Sequence, residues 1–133
     1  MDLYEHAKTM SRRIEMGDIQ IEDLEEKERV LLCVAELEIE VNNGGFSQYY
    51  FNCAGAHANL LPQALHTIGA PETAQIVTKA NAVLGKEIPK DIAARQNLID
   101  GLSDEKEQML DDLDAEFFTY PNDIDALLHD YFI

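Results

Sequence analysis

Apolar residues recur at helical spacing along almost the whole chain. From Leu3 to Ile14 they follow one another at steps of four, three and four, which predicts an amphipathic helix that ends at Gly17. From about Asp23 to Asn42 the apolar positions cover most of the helix circumference instead of one stripe. Because a helix with this pattern is buried on nearly all sides, we expect it to lie at the centre of the fold.

Glycine, proline and asparagine divide the rest of the chain into further helices. We expect residues 42–45 to end the long helix, since Asn and Gly accept the left-handed backbone found at helix ends. Asn122 is the expected cap of the last helix. The predicted helices after the long one are Phe46–Asn52, Ala58–Ile68, Pro71–Leu84, Asp91–Ile99, Asp104–Phe118 and Asp123–Phe132.

The sequence contains no internal repeat, no low-complexity segment and no strand pattern. Its 133 residues, 46% of them hydrophobic, suffice for one core and are too few for two domains. The prediction is therefore an all-α fold: a single-domain helical bundle of about six to eight helices over residues 1–133, with acidic C-terminal helices over residues 100–133.

The formal net charge of -16 is concentrated in two segments. Residues 15–40 hold 10 acidic and 2 basic side chains, and residues 100–133 hold 11 and 1. Such a protein repels nucleic acid and attracts basic surfaces over about 8 Å, the Debye length at physiological salt. The absence of a basic patch in the sequence excludes direct nucleic-acid binding. The expected partner is a basic protein.

The predicted helix Asp104–Phe118 combines an apolar sector (Met109, Leu110, Leu113 and Phe117) with a carboxylate surface. Its net charge of -6 over about 22 Å is one charge per about 3.7 Å, close to the spacing of about 3.4 Å in a DNA strand. An ordinary solvated helix face is the alternative, but lysines that would relieve the repulsion are nearly missing. The candidate partner-binding residues here and in the last helix are Asp104, Glu105, Glu107, Asp111, Asp112, Asp114, Glu116, Asp123 and Asp125.

Turn residues and aromatic residues alternate in the segment that follows the long helix. One interpretation is a polar pocket where two helix ends meet. The other is structural: the same residues cap carbonyls, turn the chain and place aromatic rings in the core. Glu38 falls on an apolar side of the long helix, and we expect a structural carboxylate with satisfied partners there. The residues of this motif are Glu38, Asn42, Asn43, Gly44, Gly45, Phe46, Gln48, Tyr49, Tyr50 and Asn52.

The motif resembles the hallmark of a bacterial family of small acidic α-helical proteins that includes a DNA-mimic protein. The resemblance extends from Glu36 to residue 133 and implies an all-α fold. It also implies a dimeric acidic decoy that occupies the DNA-binding face of a regulator or nucleoid protein. The positions that carry it are Asn43–Phe46, Gln48–Asn52, Gly55, Ala64–Ala70 and Leu113–Phe118.

Catalytic and metal-binding patterns are weak. Cys53 and His57 are one helical turn apart, but a nucleophilic thiol needs positive surroundings and an oriented base. His57 and His66 would point to opposite sides of one helix. Glu36 and Glu40 share a face that we expect to be too exposed to hold a divalent cation tightly. We therefore expect no enzyme activity, no metal and no cofactor.

The chain has no apolar run that spans a membrane and does not start with a signal-peptide pattern, so we expect a cytoplasmic protein. Cys33 and Cys53 are then free thiols. Aromatic residues near the end of the chain would seed a homodimer if they are exposed. These residues are Phe118, Tyr120, Tyr131 and Phe132.

The function that these observations favour is an acidic interaction protein. In this hypothesis it mimics DNA and occupies the nucleic-acid-binding surface of a DNA-binding regulator or nucleoid protein. One alternative is an immunity protein against a basic toxin, which would use the same kind of interface. The other is a ligand-binding or enzymatic domain that uses the polar turn 42–52.

Overall fold

A computed structural model describes residues 2–133 of the protein, and within this range the chain forms seven α-helices and no strand. This confirms the predicted all-α class. Two 3-10 segments, Ile21–Asp23 and Cys53–Leu60, precede the second and third helices. The helices are α1 (Leu3–Glu15), α2 (Glu26–Phe51), α3 (Leu61–Ile68), α4 (Pro71–Leu84), α5 (Ile92–Asp100), α6 (Asp104–Phe118) and α7 (Ile124–Phe132).

The long helix α2 is the centre of the bundle, as its apolar circumference predicts. It packs against α1, α3, α5, α6, α7 and the second 3-10 segment. Burial of one leucine or valine side chain contributes roughly 1.5–3 kcal/mol to the free energy of folding. The apolar contacts around α2 therefore make a large contribution to the stability of the fold. Its residues without any exposed surface before the bend described below are Leu31, Leu32, Val34, Ala35, Leu37 and Val41.

The glycines at the end of the predicted long helix interrupt the helical backbone of α2 and make a bend. Gly45 has φ 77° and ψ -176°, a backbone region that essentially only glycine adopts. The chain resumes a helical course after the bend and continues to Phe51. The predicted interruption at residues 42–45, with a short aromatic helix after it, is therefore confirmed: α2 consists of two helical stretches on either side of Gly44 and Gly45.

Two other predicted boundaries need correction. The segment from Cys53 to Leu60 is a 3-10 helix, so α3 begins at Leu61 and not at Ala58. Asn122 is not the cap of α7, because the Asp123 side chain accepts the hydrogen bond from the Ala126 N–H. Asn122 Oδ1 instead accepts from the N–H of Thr73, at 2.9 Å, in the first turn of α4. It links the loop before α7 to that helix.

Arg95 joins α5 to the end of α2 from inside the protein. It is only 1% exposed, and no carboxylate within residues 2–133 pairs with it. Its guanidinium donates to the carbonyl oxygens of Tyr50 and Asn52, both at 2.9 Å, where the C-terminal end of a helix dipole favours a cation. It also donates to the carbonyl oxygens of Pro89, at 3.1 Å, and Lys90, at 2.8 Å.

Gly55 leaves the space that this arginine needs. A Cβ atom at position 55 would lie 2.8 Å from Arg95 Nε and 2.9 Å from the carbonyl oxygen of Tyr49. Neither group can retreat easily, since the arginine is enclosed and the carbonyl belongs to a helix. The glycine that follows the aromatic motif is therefore required by the packing of Arg95.

Replacement of Arg95 by methionine should destabilise the protein far more than the same change at an exposed arginine. Four main-chain carbonyls lose their donor in Arg95→Met, and each buried unpaired group costs about 1–3 kcal/mol. We expect a loss of at least about 3 kcal/mol in the free energy of unfolding, measured by urea denaturation. Arg13→Met on the exposed side of α1 is the matched control, and equal losses in the two variants would contradict the assigned role.

Candidate interaction surface

The polar residues of the aromatic motif bond to two different carboxylates of α2. Gln48 Nε2 and Asn52 Nδ2 donate to Glu40 Oε2, at 2.9 and 3.0 Å. Asn42 donates to the hydroxyl of Tyr120, which in turn donates to Glu38. Glu38 and Glu40 are about 200° apart around the helix. The polar side chains therefore do not converge on one pocket.

Glu38 is a bonded carboxylate at the junction of three elements. The hydroxyl of Tyr4 in α1 donates to one of its oxygens, and the hydroxyl of Tyr120, after α6, donates to the other at 2.8 Å. Burial and then the bond to Glu38 raise the pKa of Tyr4, so that hydroxyl keeps its proton. The structure places Glu38 in the scaffold.

The aromatic residues of the motif fill the core. Phe46, Tyr49 and Tyr50 have no exposed surface, and the Tyr50 hydroxyl donates to Asn81 Oδ1 in α4. The Tyr49 hydroxyl has no partner among residues 2–133, and burial raises its pKa. Asn43 and Gly44 are exposed at the bend. Most of this motif therefore builds the bend and the packing around it.

Glu36 is largely buried, which corrects the expectation of an exposed pair with Glu40. Its Oε1 lies 2.7 Å from His57 Nδ1, and its Oε2 accepts from the hydroxyl of Ser11 at 2.8 Å. A groove of about 400 Å³ opens beside these groups, between α1, α2 and the second 3-10 segment. Cys53 lines this groove with Glu40 and Asn52.

The chemistry of this groove does not favour a nucleophile. Cys53 is exposed, but partial desolvation of its sulfur, and then the charge of Glu15, raise the pKa of the thiol. The thiolate form is thereby disfavoured at neutral pH. In the part of the chain that the structure describes, no group of three or more His, Cys, Asp or Glu residues is arranged to hold a metal ion.

Helix α6 carries exposed carboxylates on both sides of its apolar face. Leu110, Leu113 and Phe117 are buried, but Met109 is 46% exposed, so its predicted place in the docking face was wrong. No ion pair within residues 2–133 involves a side chain of α6. The exposed acidic residues are Asp104, Glu105, Glu107, Asp111, Asp112 and Glu116.

Apart from Asp104, which falls between them, the acids of α6 form two rows, which follow from a rotation of about 100° per residue. The inner flank, on the side of the bend in α2, consists of Glu107, Asp111 and Asp114. The outer flank, on the opposite side of the apolar face, consists of Glu105, Asp112 and Glu116. Within each flank the residues fall inside a sector of about 60°.

Asp114 differs from the other candidate residues because it supports the bend. It is half-buried, and its Oδ1 accepts from the N–H of Phe46 at 2.8 Å. A Cβ atom at Gly45 would collide with this carboxylate. Burial raises the pKa of Asp114, the Phe46 N–H opposes the rise, and the charge of Asp111 adds to it. The structure thus assigns Asp114 to the scaffold.

The two candidate residues in α7 have local roles. Asp123 caps the helix through the N–H of Ala126, at 3.2 Å. Asp125 is exposed and lies 3.5 Å from Nδ1 of His129, one turn later. Both carboxylates are at the start of α7, where the helix dipole stabilises negative charge.

The aromatic residues near the end of the chain divide into two pairs. Phe118 and Tyr120 are 49% and 37% exposed, whereas Tyr131 and Phe132 pack against the core. Only the first pair leaves an accessible apolar surface close to α6. Among residues 2–133, no helix has both the length and the apolar character needed to cross a membrane.

Arg95 holds α5 against the end of α2, and the Tyr120 hydroxyl bonds to Glu38 of α2. Neither role was predicted from the sequence. For Arg95 a signal was present: it shares the face of α5 that holds Ile99, so a charge falls on an apolar side, as it does at Glu38. Tyr120 follows α6 with a positive φ of 48°, and no local pattern indicates that its hydroxyl reaches α2.

A family model described as DMP19-like protein matches residues 22–133. The matched range includes the motif at the bend, Arg95 and all of α6, and it begins after α1. This match confirms the resemblance inferred from the motif. Searches of curated proteins and of solved structures gave no match.

Two substitutions of Asp114 should separate its hydrogen bond from its charge. Asp114→Ala leaves the Phe46 N–H without its acceptor, and we expect a loss of about 1–3 kcal/mol in the free energy of unfolding. Asp114→Asn keeps an acceptor oxygen and should cost clearly less. Urea denaturation of both variants at neutral pH measures this difference, and equal losses would contradict the assigned bond.

The raised pKa of Asp114 also predicts how the free energy of unfolding changes with pH. Because the pKa of Asp114 is raised from its ordinary value of 3.8, the folded chain binds this proton more tightly than the unfolded chain. Ionisation of Asp114 therefore lowers the stability of the native protein as the pH rises through and above that value. Asp114→Asn lacks this loss, so its stability relative to the native protein should increase from acidic to neutral pH.

Proposed function

The chain belongs to the DMP19-like protein family, and from this premise we propose that it is an acidic interaction protein that mimics DNA. In this proposal the exposed carboxylates of α6 occupy the nucleic-acid-binding surface of a basic partner, a DNA-binding regulator or nucleoid protein. The observation that carries the proposal is the exposed acids of α6, which form no ion pair within residues 2–133.

The acids of α2 provide an internal comparison. Glu36, Glu38 and Glu40 each accept hydrogen bonds from side chains of the same protein. Among residues 2–133, the exposed carboxylates of α6 receive only one such bond, from Gln108 to Asp112. Like charges on one helix face repel, and each pair at a spacing of four residues costs about 0.2–0.5 kcal/mol. A basic partner would remove this repulsion when it binds.

Electrostatic recognition also fits the fixed arrangement of the carboxylates on α6. Two flanks of carboxylates on a rigid, well-anchored helix present fixed negative charges, and a fixed array selects a partner by its spacing of positive charges. The apolar face between the flanks is buried against α2 and α4. The array is therefore held in place by the core, as a decoy for an equally rigid DNA backbone requires.

Two alternatives have specific support. An immunity protein against a basic toxin would use the same carboxylates, and the identity of the partner distinguishes it from a DNA mimic. A ligand-binding domain would use the groove of about 400 Å³ beside Glu40, Asn52 and Cys53, which has the size of a small-molecule site. We assign no catalytic step to this groove, because its thiol has a raised pKa.

Charge reversal on α6 should abolish capture of the partner, whereas the same reversal elsewhere should not. The test variant carries Lys at Glu107, Asp111, Asp112 and Glu116, and it retains Asp114 because that residue supports the bend. The control variant carries Lys at four exposed acids before and at the start of α2: Asp18, Glu22, Glu25 and Glu26. Both changes alter the net charge equally. Each protein is immobilised, exposed to host lysate, and eluted with a salt gradient.

The expected result is one basic DNA-binding protein that the native and control surfaces retain and the α6 variant loses. Duplex DNA should displace it, since both compete for the same surface, and its release should depend steeply on salt. Equal retention by both variants would place the interface elsewhere. A basic partner that DNA cannot displace would favour the immunity protein, and no retained partner would favour the ligand-binding groove.

A further inference from the structure

A second groove lies between the bend of α2, the end of α5 and the inner flank of α6. It consists of two adjoining depressions of about 350 and 360 Å³, which share Ser47 and Ile99. The first is completed by Asp100, Leu102, Glu107 and Asp111, and the second by Gln48, Phe51 and Asn52. We call this feature the α5–α6 groove.

The floor and the rim of the α5–α6 groove differ in chemistry. Ile99 and Leu102 are half-buried and form an apolar floor, and the ring of Phe51 at one end is 36% exposed. The rim holds the carboxylates of Asp100, Glu107 and Asp111, all exposed. Within residues 2–133 these carboxylates accept no hydrogen bond and form no ion pair, and no lysine or arginine lines the groove.

This combination selects one type of cationic side chain. Arginine has an aliphatic stem that covers apolar surface and a planar guanidinium that stacks on aromatic rings. Its fork of N–H donors pairs with carboxylates in two-point geometry. The ammonium of lysine is more strongly hydrated and makes no such stacked contact. A neutral apolar segment would instead remove three carboxylates from water without compensation.

We propose that the α5–α6 groove binds arginine side chains of a basic protein segment. The stem lies on Ile99 and Leu102, the guanidinium contacts Phe51, and the rim carboxylates accept its hydrogen bonds. This inference rests on the proposed function and makes it more specific. Recognition of the partner then includes an apolar and stacking component on the inner flank, beyond the general attraction of opposite charges.

The test compares two probes of equal charge, a hexa-arginine and a hexa-lysine peptide, each carrying the same fluorophore. Binding is measured by fluorescence anisotropy at about 150 mM salt. Because the guanidinium can stack on Phe51 and the ammonium of lysine makes no such contact, we expect hexa-arginine to bind about tenfold more tightly than hexa-lysine. Backbone amide shifts in two-dimensional NMR should concentrate at Ser47, Phe51, Ile99 and Leu102 when hexa-arginine is added.

Matched variants locate the preference. Asp100→Asn, Glu107→Gln and Asp111→Asn together neutralise the rim, and this triple variant should lose the preference for arginine. Glu105→Gln, Asp112→Asn and Glu116→Gln together remove the same charge from the outer flank and should retain it. Phe51→Ala should weaken hexa-arginine binding several-fold and leave hexa-lysine binding nearly unchanged.

The outcomes separate this inference from the proposed function. Equal affinities for the two peptides, or equal weakening by both triple variants, would overturn the proposal that the α5–α6 groove binds arginine. The proposed DNA mimic would then remain, with a diffuse charged surface as its interface. Amide shifts that depend on protein concentration without peptide would show a second copy in the groove and would also overturn it. If the arginine preference holds but no basic protein is captured from lysate, the proposed function fails and the groove stands.

Discussion

The bend in α2 determines where the rest of the structure can lie. The central helix would otherwise run straight, and its second stretch would not carry Phe46, Tyr49 and Tyr50 into the core. A backbone conformation open to glycine makes the bend, and a carboxylate from α6 satisfies the N–H that the bend would leave unpaired. The two longest helices are thus joined by a polar bond at the point of greatest backbone distortion.

The acidic residues have two separate uses. Those on α2 from Glu28 to Glu40 are bonded within the protein, where tyrosine, serine, histidine and amide donors satisfy them. Those on α6, apart from Asp114, face solvent. Net charge alone does not distinguish these groups, because a bonded and a free carboxylate count equally. A surface can be assigned to binding only after the internal bonds of its carboxylates are known.

Much of the fold follows from local pattern. The apolar circumference of α2 and the stripe of α1 are periodic signals, and the bounds of α4 and α6 follow from proline, glycine and serine at their ends. The break within α2 also follows from its Asn and Gly residues, but the direction of the bend does not. The bend is bonded to Asp114, 68 residues from Phe46, and no local pattern contains that contact.

Less of the candidate site could be predicted from the sequence, because its contacts also join residues that are far apart in the chain. The helical wheel of α6 finds its carboxylates, but it cannot show that Asp114 is bonded or that Ile99 and Leu102 lie beside Glu107. The cap of α4 by Asn122 and the bond of Tyr120 to Glu38 also join residues about 50 and 80 positions apart. Secondary structure is encoded over a few residues, whereas these contacts arise only once the helices have packed.

The attachment of α1 has a consequence for how the chain reaches this state during synthesis. Tyr4, His6 and Ser11 each reach a carboxylate of α2, at Glu38, Glu28 and Glu36. Because α1 leaves the ribosome before α2, its apolar stripe has no helix to pack against at first. When α2 emerges, its acids need the hydrogen-bond donors that α1 carries. The polar groups of the two helices therefore find their partners only when α1 and α2 pack together, as one unit on which the later helices assemble.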